Sequence, residues 1–173
     1  MANGKGEEKK SIALKYPSRA LPNAFPSQCA VVVGPINVEV IFLDPRGETV
    51  LFRLVIDRGS ALTDSIVGRS KGFLETCLKW LADKNVAIEP LVSPPAPGKV
   101  GAVTPVSANV FRLGRVGTEA VLEGYYASPI DLHAAGQASG QSKRVDLQAV
   151  CNIPMSLPVM VGLLQKLTEV ANG

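Results

Sequence analysis

Hydrophobic and polar positions follow a β pattern from Cys29 to Asp57. Two runs of β-branched and aromatic residues are joined there by Asp44-Pro45-Arg46-Gly47. Proline presets a turn dihedral and glycine accepts a positive one, so the pattern predicts a hairpin. Both the even-numbered and the odd-numbered positions of Val38–Leu43 are largely apolar, with Glu39 the exception. We therefore expect the first strand of this hairpin to be covered on both faces.

A helical period follows the hairpin. Apolar residues recur at spacings of three and four between Thr63 and Lys84, and Asn85 is suited to end the helix. Gly68 and Gly72 weaken the first half, because glycine is a poor helix former. The best-supported part of this helix is therefore predicted to begin at Lys71.

A stretch rich in proline and glycine separates this helix from the second half of the chain. Residues 89–107 hold five prolines and two glycines, a composition that resists both a helix and a central strand. Beyond them the pattern predicts strands and then a closing helix, with Ser156 as its N-cap and Pro158 in its first turn. The predicted elements are strands at 109–113, 119–126 and 144–153 and a helix at 156–172.

The order of elements predicts an α+β fold, with antiparallel sheets and two amphipathic helices. Residues 1–28 are expected to form a charged, proline-rich arm, 29–88 a first strand-hairpin-helix unit, 89–107 a linker and 108–173 a second strand-helix unit. The similar order in the two halves fits either a duplicated strand-strand-helix unit or two uses of a common layout.

Composition points to association rather than to catalysis. Apolar residues make up 46 % of the 173 residues and charged residues only 19 %, more hydrophobic surface than a monomer of this size readily hides. The net charge of +3 lies in the first 19 residues, which hold five basic and two acidic side chains, so the remaining chain is formally neutral. A nucleic-acid-binding domain normally carries a basic stripe on its folded body.

The three cysteines, Cys29, Cys77 and Cys151, predict neither a disulfide framework nor a metal site. They are widely spaced, form no Cys-x-x-Cys pair and have no histidine nearby, so we expect buried thiols that behave as small hydrophobes. The longest apolar runs are too short to span a bilayer, and the charged N-terminus lacks the apolar region of a secretory signal. These features predict a cytoplasmic protein without membrane contact, metal or cofactor.

The segment 127–143 contains His133, the only histidine, and two glycines. Gly136 and Gly140 lack the order and spacing of a phosphate-binding loop, which also precedes a helix rather than a strand. Asp131 and His133 with nearby serines (Ser128, Ser139 and Ser142) leave a small hydrolase as a minor alternative, since triad partners seldom come from one loop. We interpret the segment as a long flexible hairpin connection whose tip makes a contact.

Strand residues 119–126 contain two carboxylates and two tyrosines. Glu119 and Glu123 share one face of a strand, and we interpret them as a solvated face rather than a glycosidase pair. Tyr125 and Tyr126 must point to opposite faces, so one is expected in the core and the other at the surface.

The function predicted from these features is that of a non-enzymatic structural or protein-interaction component, a homo-oligomer whose arm, residues 12–28, crosses onto a neighbouring subunit. No catalytic residue is assigned. The alternative is a protein that binds single-stranded nucleic acid through its basic tail. The candidate interaction residues are basic, aromatic or polar side chains of the arm and the second half: Lys9, Lys10, Lys15, Tyr16, Arg19, Phe25, Tyr126, His133, Lys143 and Arg144.

Overall fold

The structure, a computed structural model, describes residues 12–18, 21–137 and 144–173. The strands are β1 (Ala13–Lys15), β2 (Gln28–Val33), β3 (Asn37–Leu43), β4 (Val50–Asp57), β5 (Val106–Ser107), β6 (Val110–Val116), β7 (Glu119–Tyr126), β8 (Arg144–Asp146) and β9 (Gln148–Ser156). The helices are a π-helical segment (Ala61–Gly68), α1 (Arg69–Asp83), α2 (Pro97–Gly101), α3 (Pro129–Gln137) and α4 (Leu157–Asn172). This content confirms the predicted α+β class.

The first sheet has the strand order β2-β3-β4-β5, with antiparallel pairs except for the parallel pair β4-β5. The predicted turn at Asp44–Gly47 joins β3 to β4. Gly47 has a φ of 70°, and the Asp44 carboxylate accepts hydrogen bonds from the backbone N–H groups of Glu48 and Thr49 at 2.9 and 3.0 Å. Proline, glycine and the aspartate side chain each take the part that turn chemistry assigns to them.

The second sheet has the order β6-β7-β9, all antiparallel, and a separate two-stranded sheet pairs β1 with β8 in parallel. A tight turn at Gly117, which has a φ of 59°, joins β6 to β7. In both halves of the chain a three-stranded antiparallel meander is thus followed by a helix. The second half differs because α3 and β8 lie between its second and third meander strands.

The helix after the first sheet starts earlier and less regularly than its sequence predicts. Residues 61–68 are π-helical, and a Cβ at Gly68 would lie 3.0 Å from the carbonyl oxygen of Thr63. The regular helix α1 begins at Arg69 and is followed by Lys84 and by Asn85, whose φ of 56° ends the helix as predicted. The first part of this helix, where the glycines predict low helical stability, is therefore a π-helix with a wider turn.

Helix α4 has the start and end that the sequence predicts. Ser156 precedes it in an extended conformation, Pro158 lies in its first turn, and the N–H of Leu157 donates to the carbonyl of Thr118 at 2.7 Å.

Among the helices of the described ranges, α4 included, none has both the length and the apolar character needed to cross a membrane.

One hydrophobic core joins the two halves. The inner faces of both sheets, the π-helical segment, α1 and α4 all contribute buried side chains to it. Most of α4 is buried, including adjacent residues such as Met160, Val161 and Leu163, so it is a central helix rather than a surface one. Gly162 lies where the backbone of Glu89 crosses α4, since a Cβ there would be 2.4 Å from the Glu89 carbonyl oxygen.

The linker covers the outer face of the first sheet. Val92, Val100 and Val103 pack on a second buried cluster that includes Ile41 and Leu43 of β3. The expectation that this strand is covered on both faces is confirmed. The proline-rich composition did not keep the linker free of secondary structure, since α2 and the two-residue edge strand β5 lie within it.

An ion pair fixes the linker to that face. Arg53 of β4 pairs with Glu39 of β3, and both side chains are largely buried. The Arg53 guanidinium also donates to the carbonyl oxygens of Val100 and Val103 at 3.1 and 2.7 Å. Glu39, the charged residue in the apolar run of β3, is therefore part of the contact that holds the linker on the sheet.

The interpretation of 127–143 as a flexible connection is wrong for most of its length. Residues 129–137 form α3, with Pro129 at its first position, where a missing N–H costs no hydrogen bond. Ala135 of this helix is buried with Val145 and Leu147, so a small apolar residue anchors it to the second sheet region. Residues 138–143, which include the proposed loop tip, lie outside the described residues.

Candidate interaction surface

The N-terminal arm lies on the outer face of the second sheet of its own chain. β1 pairs with β8, with Ala13 opposite Arg144 and Lys15 opposite Asp146. The ring of Tyr16 packs edge-on against Tyr125, with centroids 4.9 Å apart. Further along, Asn23 forms two hydrogen bonds with the backbone of Asn152 on the edge of β9, at 2.7 and 2.9 Å.

A cluster of Arg112, Glu123, Tyr125 and Tyr16 holds this contact. The Arg112 guanidinium donates from Nε and Nη2 to Oε2 of Glu123 at 3.1 and 2.8 Å, and from Nη2 to the Tyr125 hydroxyl at 3.0 Å. The Tyr125 hydroxyl donates to the same Glu123 oxygen at 2.8 Å. Arg112 also lies 4.1 Å from the ring centroid of Tyr16, which places a cation over an aromatic face.

The surroundings of this cluster keep Arg112 and Tyr125 protonated. Burial raises the pKa of Tyr125, and its hydrogen bond to Glu123 raises it further. Burial lowers the pKa of Arg112, but the hydrogen bonds and charges of Glu123 and Tyr125 outweigh burial and raise it overall. Groups held in one protonation state serve as fixed donors, which suits an anchor for the arm.

The interpretation of Glu119 and Glu123 as a solvated strand face is wrong for Glu123. Strand register places Glu123 opposite Arg112, and its side chain is buried beneath the arm. Glu119 lies on the same face of β7 but is exposed. The difference arises because the arm covers only one end of this face.

The other end of the face borders an open groove of about 830 Å³. Its walls are Phe25 and Pro26 of the arm on one side and, on the sheet, residues that include Val116, Val121 and Pro154. Phe25 is 71 % exposed and Val116 is 86 % exposed, although both are large apolar side chains. The groove is therefore a cavity whose walls include apolar side chains exposed to solvent.

The structure brings some of the predicted interaction residues together. Tyr16 lies in the cluster, Phe25 lines the groove, and Lys15 and Arg144 are exposed on the β1-β8 pair. Tyr126 is 40 % exposed while Tyr125 is buried, as expected for neighbours on a strand. The remaining residues with predicted contacts in the tail and the loop, Lys9, Lys10, Arg19 and Lys143, lie outside the described residues.

His133 lies exposed on α3 and does not line the groove. Asp131, two residues earlier on the helix, is also exposed, and side chains two apart on a helix do not face each other. The backbone N–H of Asp131 lies 3.5 Å from the Ser128 hydroxyl, as in a helix cap. Ser128 thus lies just before α3, Asp131 lies in its first turn and His133 lies in its middle.

The three cysteines are free and buried. Burial raises the pKa of Cys29 and of Cys151 to about 12 in each case, which keeps these thiols protonated and weakly nucleophilic. Within residues 12–18, 21–137 and 144–173, no cluster of three histidine, cysteine, aspartate or glutamate residues is arranged to hold a metal ion.

Arg112 is a residue of the cluster that the sequence patterns did not single out, and its partner Glu123 was assigned to a solvated face. The sequence does contain a pattern that predicts this pair. A two-residue turn at Gly117 and Thr118 places Val116 opposite Glu119, and the same register places Arg112 opposite Glu123. Only Glu123 of this pair is buried, and the guanidinium of Arg112 lies over the ring of Tyr16. Comparisons of the chain with protein-family models, with curated proteins and with solved structures find no match.

Proposed function

We propose that this chain is a non-enzymatic structural or protein-interaction component that assembles as a homo-oligomer, with the groove between Phe25 and Val116 as a docking surface for a neighbouring copy. The observation that carries the proposal is the uneven cover of the two sheets. The chain buries the outer face of the first sheet with its own linker, but leaves one end of the equivalent face of the second sheet open.

The chemistry of the open end supports a protein partner. Val116, Val121 and Pro154 offer apolar contacts, and Phe25 offers an aromatic ring of the kind enriched at the centres of interfaces. A neighbour in the groove contacts the arm at Phe25, whereas the expected crossing of residues 12–28 onto a neighbouring subunit is not part of this proposal, because β1 and Tyr16 pack on their own chain. A second copy is favoured as occupant because the chain as a whole is rich in apolar and poor in charged residues.

Three free, buried thiols suit a reducing compartment, which supports a cytoplasmic location.

The proposal is tested by the mass of the full chain in solution. Light scattering is expected to give a mass well above 18.2 kDa for the parent chain. The double variant Phe25→Asp with Val116→Asp is expected to lower that mass, because two charges placed in an apolar contact must be desolvated without partners.

The matched control is Ile130→Asp, since Ile130 is a 79 % exposed apolar residue on α3 that does not line the groove. A parent chain that stays monomeric at working concentration contradicts the proposal, and so does a double variant of unchanged mass. Retention of the chain on single-stranded nucleic acid that is lost between low and moderate salt would instead favour the nucleic-acid alternative.

A further inference from the structure

Strand β2 has an open edge in its second half. The N–H of Gly34 donates to the carbonyl of Asn37 at 2.8 Å, which fixes the even-numbered residues of β2 as those that bond to β3. The N–H and C=O groups of the odd-numbered residues therefore point away from the sheet. On that side the N–H of Val92 donates to the carbonyl of Cys29 at 3.1 Å. Within the described parts of the chain, the outward groups of Val31 and Val33 have no such partner.

The other outer edges of the two larger sheets each carry a feature that opposes pairing. The far edge of the first sheet is the two-residue strand β5, which follows Pro105. At the β6 edge the N–H of Phe111 donates to the Ser65 hydroxyl of the π-helical segment at 3.1 Å. At the β9 edge Asn23 occupies the backbone of Asn152, and Pro154 supplies no N–H. These are the devices by which proteins prevent pairing at sheet edges, and β2 lacks them at Val31–Val33.

The open segment has the properties of a pairing strand. It consists of three consecutive valines, and no charge or proline occurs between Gln28 and Val33. Val32 and Val33 are 40 % and 46 % exposed, and Ile36 beyond them is 72 % exposed. An exposed, β-branched edge without charges pairs readily with another strand.

We infer that β2 pairs in antiparallel fashion with β2 of a second copy, about a twofold axis that passes through Val32. In this register Val31 lies opposite Val33 of the second copy, and Val33 lies opposite its Val31. Both residues carry outward N–H and C=O groups, so the two pairs form four hydrogen bonds and leave none of these groups unmatched.

The same register accounts for the ends of the pairing. Cys29 lies opposite Pro35 of the second copy, which has no N–H to give, and the carbonyl of Cys29 is already used by Val92. The carbonyl of Cys29 and the nitrogen of Pro35 of the second copy, which cannot form a hydrogen bond with each other, therefore lie opposite each other. This self-complementarity selects a second copy over an unrelated strand. The two first sheets join into one sheet of eight strands.

This inference deepens the proposed function, since it identifies one interface of the homo-oligomer, distinct from the groove. The central contact is Val32 against Val32 of the second copy, a pair without direct hydrogen bonds, in which side chains approach most closely. A cysteine at this position has a Cβ–Cβ separation suited to a disulfide, whereas a cysteine at Val33 lies diagonally, about 7–8 Å away.

The test is oxidative cross-linking of the full chain with copper phenanthroline. Val32→Cys is expected to form a covalent dimer, while Val33→Cys and the more exposed Ile130→Cys on α3 give only the background of random collisions. Val32→Lys is expected to raise the dissociation constant of the dimer about tenfold or more, because two like charges then face each other. The matched control Val32→Thr keeps a β-branched neutral side chain and is expected to keep the dimer.

The outcomes separate the inference from the proposed function. If Val32→Cys cross-links no better than Ile130→Cys while Phe25→Asp with Val116→Asp still lowers the mass, the strand pairing is overturned and the groove stands. If Val32→Cys cross-links selectively while the groove variant leaves the mass unchanged, the strand pairing stands and the groove is overturned.

Discussion

Arg112 and Glu123 face each other across β6 and β7, and the Nη2 of Arg112 lies 2.8 Å from Oε2 of Glu123. The arginine side chain is 43 % exposed while the glutamate side chain is only 5 % exposed. Arg112 also covers the ring of Tyr16, so one side chain connects a buried carboxylate to the N-terminal arm. The pair is thus an anchor for the arm as much as a contact within the sheet.

Glu123→Ala is expected to lower the free energy of unfolding by about 2 kcal/mol, because the buried Tyr125 hydroxyl loses its acceptor. The partial exposure of Arg112 limits the loss, since water compensates its charge. Urea denaturation measures the change. Glu119→Ala on the same face of β7 is the control and is expected to change stability by less than about 0.5 kcal/mol. Equal losses for the two variants would show that burial of Glu123 contributes nothing.

Two glycine-to-alanine substitutions are expected to act in opposite directions. A Cβ at Gly162 would lie 2.4 Å from the Glu89 carbonyl oxygen, so Gly162→Ala forces the linker backbone to move and destabilises the fold by about 1–3 kcal/mol. A Cβ at Gly72 meets nothing within 4 Å, so Gly72→Ala stabilises α1 by about 0.5–1 kcal/mol. Thermal or urea unfolding of both variants checks the sign of each change.

Arg53→Met is expected to loosen the linker, because Glu39 loses its partner and the carbonyls of Val100 and Val103 lose their donor. A loss of about 1.4 kcal/mol in local stability raises the population of the open linker about tenfold. Trypsin cleavage after the exposed Lys99, followed by mass spectrometry, measures this opening. Arg46→Met in the exposed turn is the control, and an unchanged rate of cleavage in Arg53→Met would contradict the anchoring role.

Asp44 is expected to contribute to acid sensitivity. Hydrogen bonds from the backbone of Thr49 are the largest cause that lowers the pKa of its carboxyl, followed by others from Glu48 and Gly47. Because the folded pKa lies below the unfolded one, the stabilisation is full above about pH 4 and is lost as the pH falls through the folded pKa. Carboxyl NMR titration measures that pKa directly. Asp44→Asn is expected to remove this part of the acid dependence, and an Asp44 pKa at or above the unfolded value contradicts it.

Cys29 and Cys151 are expected to resist thiol reagents in the native state at pH 8. Burial raises the pKa of each thiol to about 12, so the reactive thiolate is scarce and access is closed. Since the folded pKa values exceed the unfolded ones, the stabilisation is full below about pH 8.5 and is lost as the pH rises toward 12. Reaction with a chromogenic disulfide before and after denaturation tests this, and fast labelling of native Cys29 or Cys151 contradicts it.

Local signals predicted those elements whose causes are local. The Asp44–Gly47 turn and the start of α4 after Ser156 depend on residues adjacent in sequence, and both occur where predicted. Glu123 was misinterpreted because its partners Arg112 and Tyr125 pack against Tyr16, a residue more than one hundred positions earlier in the chain. Helix α3 was missed because its anchor, Ala135, is weakly apolar and becomes buried only through contact with Val145 and Leu147.

The candidate surface was predictable only in part. Phe25 stood out as an aromatic residue within a proline-rich arm, and it does line the groove. Val116 and Pro154 carry no distinctive signal, because their place in the groove follows from strand register and from the limited reach of the arm. Exposure of an apolar residue is a property of the whole fold, whereas sequence patterns report the preferences of short segments.

The central place of α4 has a consequence for synthesis on the ribosome. The ribosome makes this helix after β2, β7 and β9, the strands that it contacts, so the inner face of β2, which includes the buried Cys29, lacks the apolar cover of α4 while the rest of the chain is being made. During that interval the valine edge of β2 is also available to other nascent chains. Protection of nascent chains is therefore most needed just before α4 leaves the exit tunnel.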